Sequence, residues 1–261
     1  MGTSVNVTNA VKAKIYIPPV QSADTLFHFV DKIDYLIEIL ERDAIVPRYC
    51  VEKVDYLNIK YNEIAYPMLC FCDINLHKIK EHINFYGGYG VAFSKQWGIG
   101  IGIQPVQYIN TNSALKKTFT NAFNMAMNYS YSDEAQNYLL SQMYFLKPIE
   151  GDMPRNDKIE FRNFTDECEW RYIPNVEIEE MPGVLTESGL LQRDMLNKAL
   201  KYANRTWLKY SISDIKYLII QNKEDFDLII NVILKKKNLS DQQRNILISK
   251  IIIWDESKGD F

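Results

Sequence analysis

Phe164-Thr165-Asp166-Glu167-Cys168-Glu169-Trp170-Arg171-Tyr172-Ile173 is the stretch on which the fold turns. In an extended chain successive side chains point to opposite faces, so Glu167, Glu169 and Arg171 share one side and Cys168, Trp170 and Tyr172 the other. The aromatic set reads as the core face of a strand. The charged set gathers two carboxylates and a guanidinium, costly to bury unless they pair or bind something. On composition alone the cheaper outcome is an exposed sheet face on which Glu167, Glu169, Arg171 and Arg162 pair with one another.

Outward from that strand, periodicity assigns most of the chain. Toward the amino terminus, Leu26–Val30 is a strand carrying His28, and Asp31–Asp43 an amphipathic helix marked by Ile33, Leu36, Ile37 and Leu40. Ile64–Ile74 is a strand, followed by a helix capped by Asp73 or Asn75 that ends at Tyr86-Gly87-Gly88. Val91–Ser94 and Val106–Ile109 read as neighbouring strands, with Gly98-Ile99-Gly100-Ile101-Gly102 as a hairpin connection or bulge. Thr111–Tyr129 is the longest helix, capped by Asn112 or Ser113, and Asp133–Ser141 a second. Gln142–Ile149 is a strand, and Glu150–Lys158 is turn-rich.

Beyond Pro182-Gly183 a helix spans roughly Leu190–Ala203. The tail reads as strand Ile215–Ile220, helices Lys223–Lys236 and Ser240–Ser249, and strand Lys250–Trp254. Lys14–Ile17 is a short strand-like piece, and Arg48–Tyr61 has no clear period. The sum is an α+β protein, one domain with a central mixed or antiparallel sheet and flanking helices. That domain covers 25–261 after a loose leader, 1–24, with 184–261 either completing the sheet or forming a subdomain.

The 30 basic and 33 acidic residues leave a net charge of −3, so no global field recruits nucleic acid, which is unsupported as a partner. No apolar run reaches membrane-spanning length and the amino terminus lacks the pattern of a signal peptide. Four cysteines without such a signal read as reduced thiols of a cytoplasmic protein. Cys70, Cys72, His77 and His82 do not make a metal site. Cys-x-Cys is an unusual zinc spacing, and two histidines five residues apart lie about 140° apart around a helix. Nucleophile-elbow, Walker and dinucleotide fingerprints are absent.

A different set has chemistry. Tyr86-Gly87-Gly88-Tyr89-Gly90 lets backbone approach a flat ligand closely and offers a ring to stack on it. With His28 upstream and Glu169 downstream, the order His, Tyr, Glu is the one that NAD-dependent ADP-ribosyl transfer uses. Breaking the nicotinamide–ribose bond develops an oxocarbenium ion, which a carboxylate stabilises. On this reading Glu169, Glu167 and His28 are the catalytic candidates, while His28, Tyr86, Tyr89 and Arg171 hold NAD. The bland alternative is a helix-to-strand turn with core tyrosines and an ion-paired sheet face.

Several blocks together resemble a known family: Leu26-Phe27-His28-Phe29, Pro47-Arg48-Tyr49-Cys50-Val51-Glu52, Pro67-Met68-Leu69-Cys70-Phe71-Cys72-Asp73-Ile74, Tyr86 through Gly98, and Glu167-Cys168-Glu169-Trp170-Arg171. Over about residues 25–175 the chain resembles the AbiGi family of bacterial abortive-infection proteins, the antitoxin side of a phage-resistance pair. The resemblance implies a phage-defence role and a protein partner, a toxin or a phage component. A weaker likeness, in His28-Phe29-Val30 and the helix after it, is to DarT-like ADP-ribosyltransferases, which have His-x-Thr there. It implies an ADP-ribosyltransferase-like scaffold that uses NAD; Val30 stands in place of the hydroxyl. The alternative is a non-catalytic antitoxin that counters its toxin.

Overall fold

Alternating or continuous apolar runs flanked by turn residues build the strands, and the 3.6-residue stripes build the helices that cover them. The computed structural model describes residues 16–128, 131–155, 158–176 and 181–260. In chain order the first elements are β1 (Thr25–Val30), α1 (Ile33–Arg42), β2 (Ala44–Ile45), β3 (Arg48–Lys53), β4 (Glu63–Cys72), α2 (Lys80–Tyr86), β5 (Tyr89–Ser94) and α3 (Lys95–Gly100). Next come β6 (Gln104–Pro105), β7 (Gln107–Ile109), α4 (Ala114–Asn128), α5 (Asp133–Tyr144), β8 (Leu146–Pro148), β9 (Glu150–Arg155), β10 (Lys158–Asn163) and β11 (Glu169–Tyr172). The remainder is β12 (Leu185–Thr186), α6 (Arg193–Leu200), β13 (Leu208–Lys209), β14 (Ile215–Ile220), α7 (Glu224–Lys235), α8 (Asp241–Ile248), β15 (Ile251–Ile253) and α9 (Trp254–Ser257).

The main sheet runs β15-β14-β5-β1-β4-β11-β6, with β3 and β12 also pairing β4. All its pairings are antiparallel except β14 with β15. The chain is therefore α+β around a mixed, largely antiparallel sheet. The tail strands β14 and β15 extend that sheet beyond β5.

Leu26, Phe71, Val91, Phe93, Leu218 and Ile220 share one sheet face and pack against Leu36, Ile39 and Leu40 of α1, Ile229 and Ile233 of α7, and Leu247 of α8. The other face holds Phe27, Ala92 and Ile219 against Ile79, Ile83 and Trp254. Over β4, Ile64, Tyr66 and Met68 pack with Phe123 of α4 and Met143 of α5. Helix α1 ends where Asp43 turns left-handed (φ 49°). There the buried Lys236 donates to the carbonyl of Leu40 at 2.5 Å and pairs with Asp43 at 2.8 Å, a cation at the negative end of a helix.

Several expectations change. Gly98–Gly102 is not a hairpin: Ser94 caps α3 by accepting from the Trp97 N–H, and Gly102, at φ +85°, lies just past the helix end. A Cβ at Gly98 would stand 2.5 Å from Leu26 Cδ1, so glycine here serves close helix packing rather than a flexible turn. Consequently Val91–Ser94 and Val106–Ile109 are not neighbours: β5 pairs β1 and β14, whereas β7 pairs β8. Glu150–Lys158, expected as turns, begins a β9–β10 hairpin, and Arg48–Lys53 proves to be a strand along β4. Ser113 caps α4 as expected, but Asn75 makes no side-chain cap. Residues 1–15 of the leader, and with them half of Lys14–Ile17, lie outside the described residues; Tyr16 and Ile17 are not in a strand. No helix among the described residues is long and apolar enough to cross a membrane.

Candidate functional site

A fork in the sheet creates the site. Strand β1 pairs with β5 along its whole length but meets β4 in register only at Phe27↔Cys72. From Met68 back to Glu63, β4 is instead paired by β3, beginning at Arg48↔Met68. Between these pairings β1 and β4 part, and the side chain of His28 fills the gap, its Nδ1–H donating to the Cys70 carbonyl at 2.9 Å. A cavity of about 850 Å³ opens there, the size of a small-molecule site. His28, Cys70, Tyr86, Lys147, Glu167 and Glu169 line its interior; Asp31, Glu38, Arg48, Lys198 and Lys201 are also in its wall.

The acidic wall is built by the opening stretch, but not as one strand face. Glu167 closes a 3-10 turn over Phe164–Glu167, Cys168 is left-handed, and only Glu169–Tyr172 is extended. Cross-strand partners share a face, so Glu169 and Arg171 lie with Cys72 and Cys70. Both faces are covered: Arg171 is 0% and Glu169 5% exposed, while Trp170 and Tyr172, on the side of Phe71 and Leu69, are partly buried against the main core. The aromatic side therefore faces the main core as expected, and it is the exposure expected of the charged side that the structure overturns. The physical reason is that the end of α5 and strand β8 place Lys147 and the Tyr144 carbonyl against the charged side.

What results is a closed ionic cluster. Lys147 Nζ reaches Glu167 Oε2 at 2.5 Å and Glu169 Oε2 at 2.8 Å. Tyr86 donates its hydroxyl to Glu167 Oε1 at 2.6 Å. Arg171 gives Nε to Glu169 Oε1 (2.7 Å), Nη1 to the Tyr66 hydroxyl (2.6 Å) and the Tyr144 carbonyl (2.7 Å), and Nη2 to Glu52 (2.9 Å) and Glu169 Oε2 (3.1 Å). All five guanidinium donors are used. Burial alone would raise the Glu169 carboxyl, but Arg171 and Lys147 outweigh it and hold the pKa well below the usual carboxylate range. Burial likewise acts to lower Lys147, and Glu169, Glu52 and Glu167 reverse it. Tyr86 is pushed far up by burial and by the Glu167 charge.

Of the expected residues, the cavity therefore brings together His28, Tyr86, Glu167 and Glu169. It does not include Tyr89, which lies across the glycine turn on β5 and donates to Asp225 of α7 at 2.8 Å. Nor does Arg171 face the cavity as a ligand-binding group: it stands behind Glu169, saturated by protein. Arg162 lies over the Phe85 ring, 3.7 Å from its centroid, and pairs with neither glutamate. Lys147 and Glu52 were missed. The signal for Lys147 was a lone cation inside the apolar run Tyr144–Ile149; Glu52 sat in the segment without a period. Among the described residues no group of three or more His, Cys, Asp and Glu could hold a metal ion.

Both histidines near the site have lowered pKa values. For His28 burial is the cause, opposed by the Cys70 bond; for His82 it is burial, opposed by the Glu167 backbone and charge. Below about pH 6.5 the unfolded histidines take protons that the folded ones refuse, so stability is expected to fall as pH drops. Glu169, with its depressed folded pKa, adds a further loss only at lower pH. Thermal melts between pH 7.5 and 5 check this. The double variant His28→Gln/His82→Phe should show a visibly flatter decline, and an unchanged slope would remove the histidines as the cause.

Comparison with known proteins gives one consistent result. Residues 43–221 match the family model described as abortive phage resistance protein AbiGi, antitoxin. A protein of Lactococcus lactis subsp. cremoris named "Abortive phage resistance protein AbiGi" is 35% identical over 248 residues, covering 84% of this chain and 100% of that protein. No solved structure matches the chain.

Proposed function

From the premise that the chain belongs to the AbiGi family of abortive phage-resistance proteins, we propose that this phage-defence component is the antitoxin of a toxin–antitoxin pair. In this proposal the fork cleft binds a ligand without turning it over. What carries it is the state of the acid pair: each oxygen of Glu167 and Glu169 already accepts from Tyr86, Lys147 or Arg171. Lone pairs remain on these oxygens, but a carboxylate that takes a proton or steadies an oxocarbenium ion acts through negative charge left uncompensated for the substrate. Here two cations compensate that charge first.

A second reading, ADP-ribosyl transfer from NAD on an ADP-ribosyltransferase-like scaffold, is favoured by one observation. His28, Tyr86, Glu167 and Glu169 line a single cavity large enough for the nicotinamide ribose. With Nδ1 committed to Cys70, neutral His28 keeps Nε2 as an acceptor for a ribose hydroxyl. Residues that would contact NAD are then His28 and Tyr86, with Glu169 nearest in role to the carboxylate of a glycosidase.

Incubating the purified protein, with cell lysate, in NAD labelled on both nicotinamide and adenine separates the two. The expected result is no nicotinamide release and no label transfer above the Glu169→Gln background. Release at least ten-fold above that background, lost in Glu169→Gln with the melting temperature preserved, would overturn the non-catalytic assignment.

A further inference from the structure

Helix α6 is anchored from beneath and left open above. Leu196 and Leu200 pack with Tyr49, Ala65 and Leu185. Asn197 accepts the Tyr49 N–H at 2.7 Å, and the Leu200 carbonyl accepts the Trp207 indole at 2.9 Å. On the open side stand Leu191, Met195 and Tyr202, exposed by 89%, 61% and 87%. Lys198 is exposed as well; it and Met195 are on α6, while Leu191 and Tyr202 are on the turns that flank it. Three large apolar side chains this exposed, on an anchored helix and the turns beside it, form a candidate contact surface.

The charge of this segment is distinctive too. Residues 193–209 carry five cations and one carboxylate in a chain whose net charge is −3. Arg193 pairs with Asp194 and Lys201 with Glu38, while Lys198 has no ion-pair partner among the described residues. Asp194, Lys198 and Lys201 also line the cleft, so the charged flank of this segment borders the cleft mouth.

We propose that the outer side of α6, through Leu191, Met195, Lys198 and Tyr202, is the docking surface for the toxin, which meets it with an apolar centre rimmed by carboxylates and covers the cleft entrance. This rests on the antitoxin assignment made above. A protein fits better than RNA because two of the three exposed side chains are aliphatic and offer no stacking platform, whereas aliphatic anchors ringed by charge are what protein interfaces use.

The test places a photo-crosslinking amino acid at Tyr202 in cells carrying the native defence locus. The expected product is one acidic protein, identified by mass spectrometry and then purified. It should bind the wild-type chain in a salt-dependent manner, at least ten-fold more weakly to Met195→Glu/Lys198→Glu, and unchanged to Leu115→Glu on α4, all three with equal melting temperatures. Crosslinking to RNA or to a second copy of this chain overturns the proposal. If a toxin co-purifies but binds the double variant as well as the wild type, the surface is wrong while the antitoxin assignment stands. If no protein associates with the chain by crosslinking or co-purification, both fall.

Discussion

Arg171→Met is expected to cost about 3–5 kcal/mol of folding stability, the loss typical when one partner of a buried ionic group is removed. Methionine fills much of the same volume but supplies none of the five donors. Glu169, 5% exposed, would keep only Lys147, which it shares with Glu167, and Glu52 would lose its partner. Chemical denaturation reads the loss directly. The informative control is Arg171→Met/Glu169→Met, which removes the stranded charge with its partner and should recover at least half of the deficit. If the double variant is as unstable as the single one, packing and the Tyr66 and Tyr144 contacts, rather than the uncompensated carboxylate, account for it.

Gly87→Ala should be comparably damaging for a different reason. Gly87 sits at φ 125°, ψ 159°, a region essentially closed to residues with a Cβ. An added Cβ would lie 2.5 Å from both the Asp31 Cα and the Val30 carbonyl, and neither backbone atom can rotate away. Strain and overpacking together predict a loss of about 2–5 kcal/mol. The cleft should suffer with it, because the displaced segment is the end of β1 that forms one wall of the fork. Gly100→Ala is the matched control: nothing lies within 4 Å of its added Cβ, and its stability should be near that of the parent. Equal melting temperatures for the parent and Gly87→Ala would show that the α2–β5 turn relaxes freely.

The sequence made the regular elements legible where one period dominated a long window. Strands β1, β4 and β14, helices α1, α4, α7 and α8, and the α+β class follow from such windows. The failures share a physical cause: local period says nothing about what arrives from elsewhere in the chain. The charged face of Glu169–Tyr172, expected to be exposed, is buried because Lys147 and the end of α5, more than twenty residues away, close over it. Gly98–Gly102 looked like a turn by composition, yet Ser94 capping and contact with Leu26 make it helix. Tyr86 and Tyr89 were read together because they are adjacent in sequence. The turn at Gly87 sends one into the cavity and the other toward α7. His28, Tyr86, Glu167 and Glu169 could be grouped from sequence by their chemical types alone; the partners that neutralise the acids could not.

The position of Arg171 also constrains the order in which the molecule assembles. Its guanidinium contacts Glu52, Tyr66, Tyr144 and Glu169, groups drawn from β3, β4, the end of α5 and β11. Joining segments this far apart closes long loops, whose entropy must be met before the contacts reward it. A charge enters the interior at low cost only when its partners already stand there. The β3–β4 pair and the α4–α5 hairpin, each local in sequence, can form early. The guanidinium completes them late, so the burial of this one side chain reports that four separate parts of the chain have reached their native places.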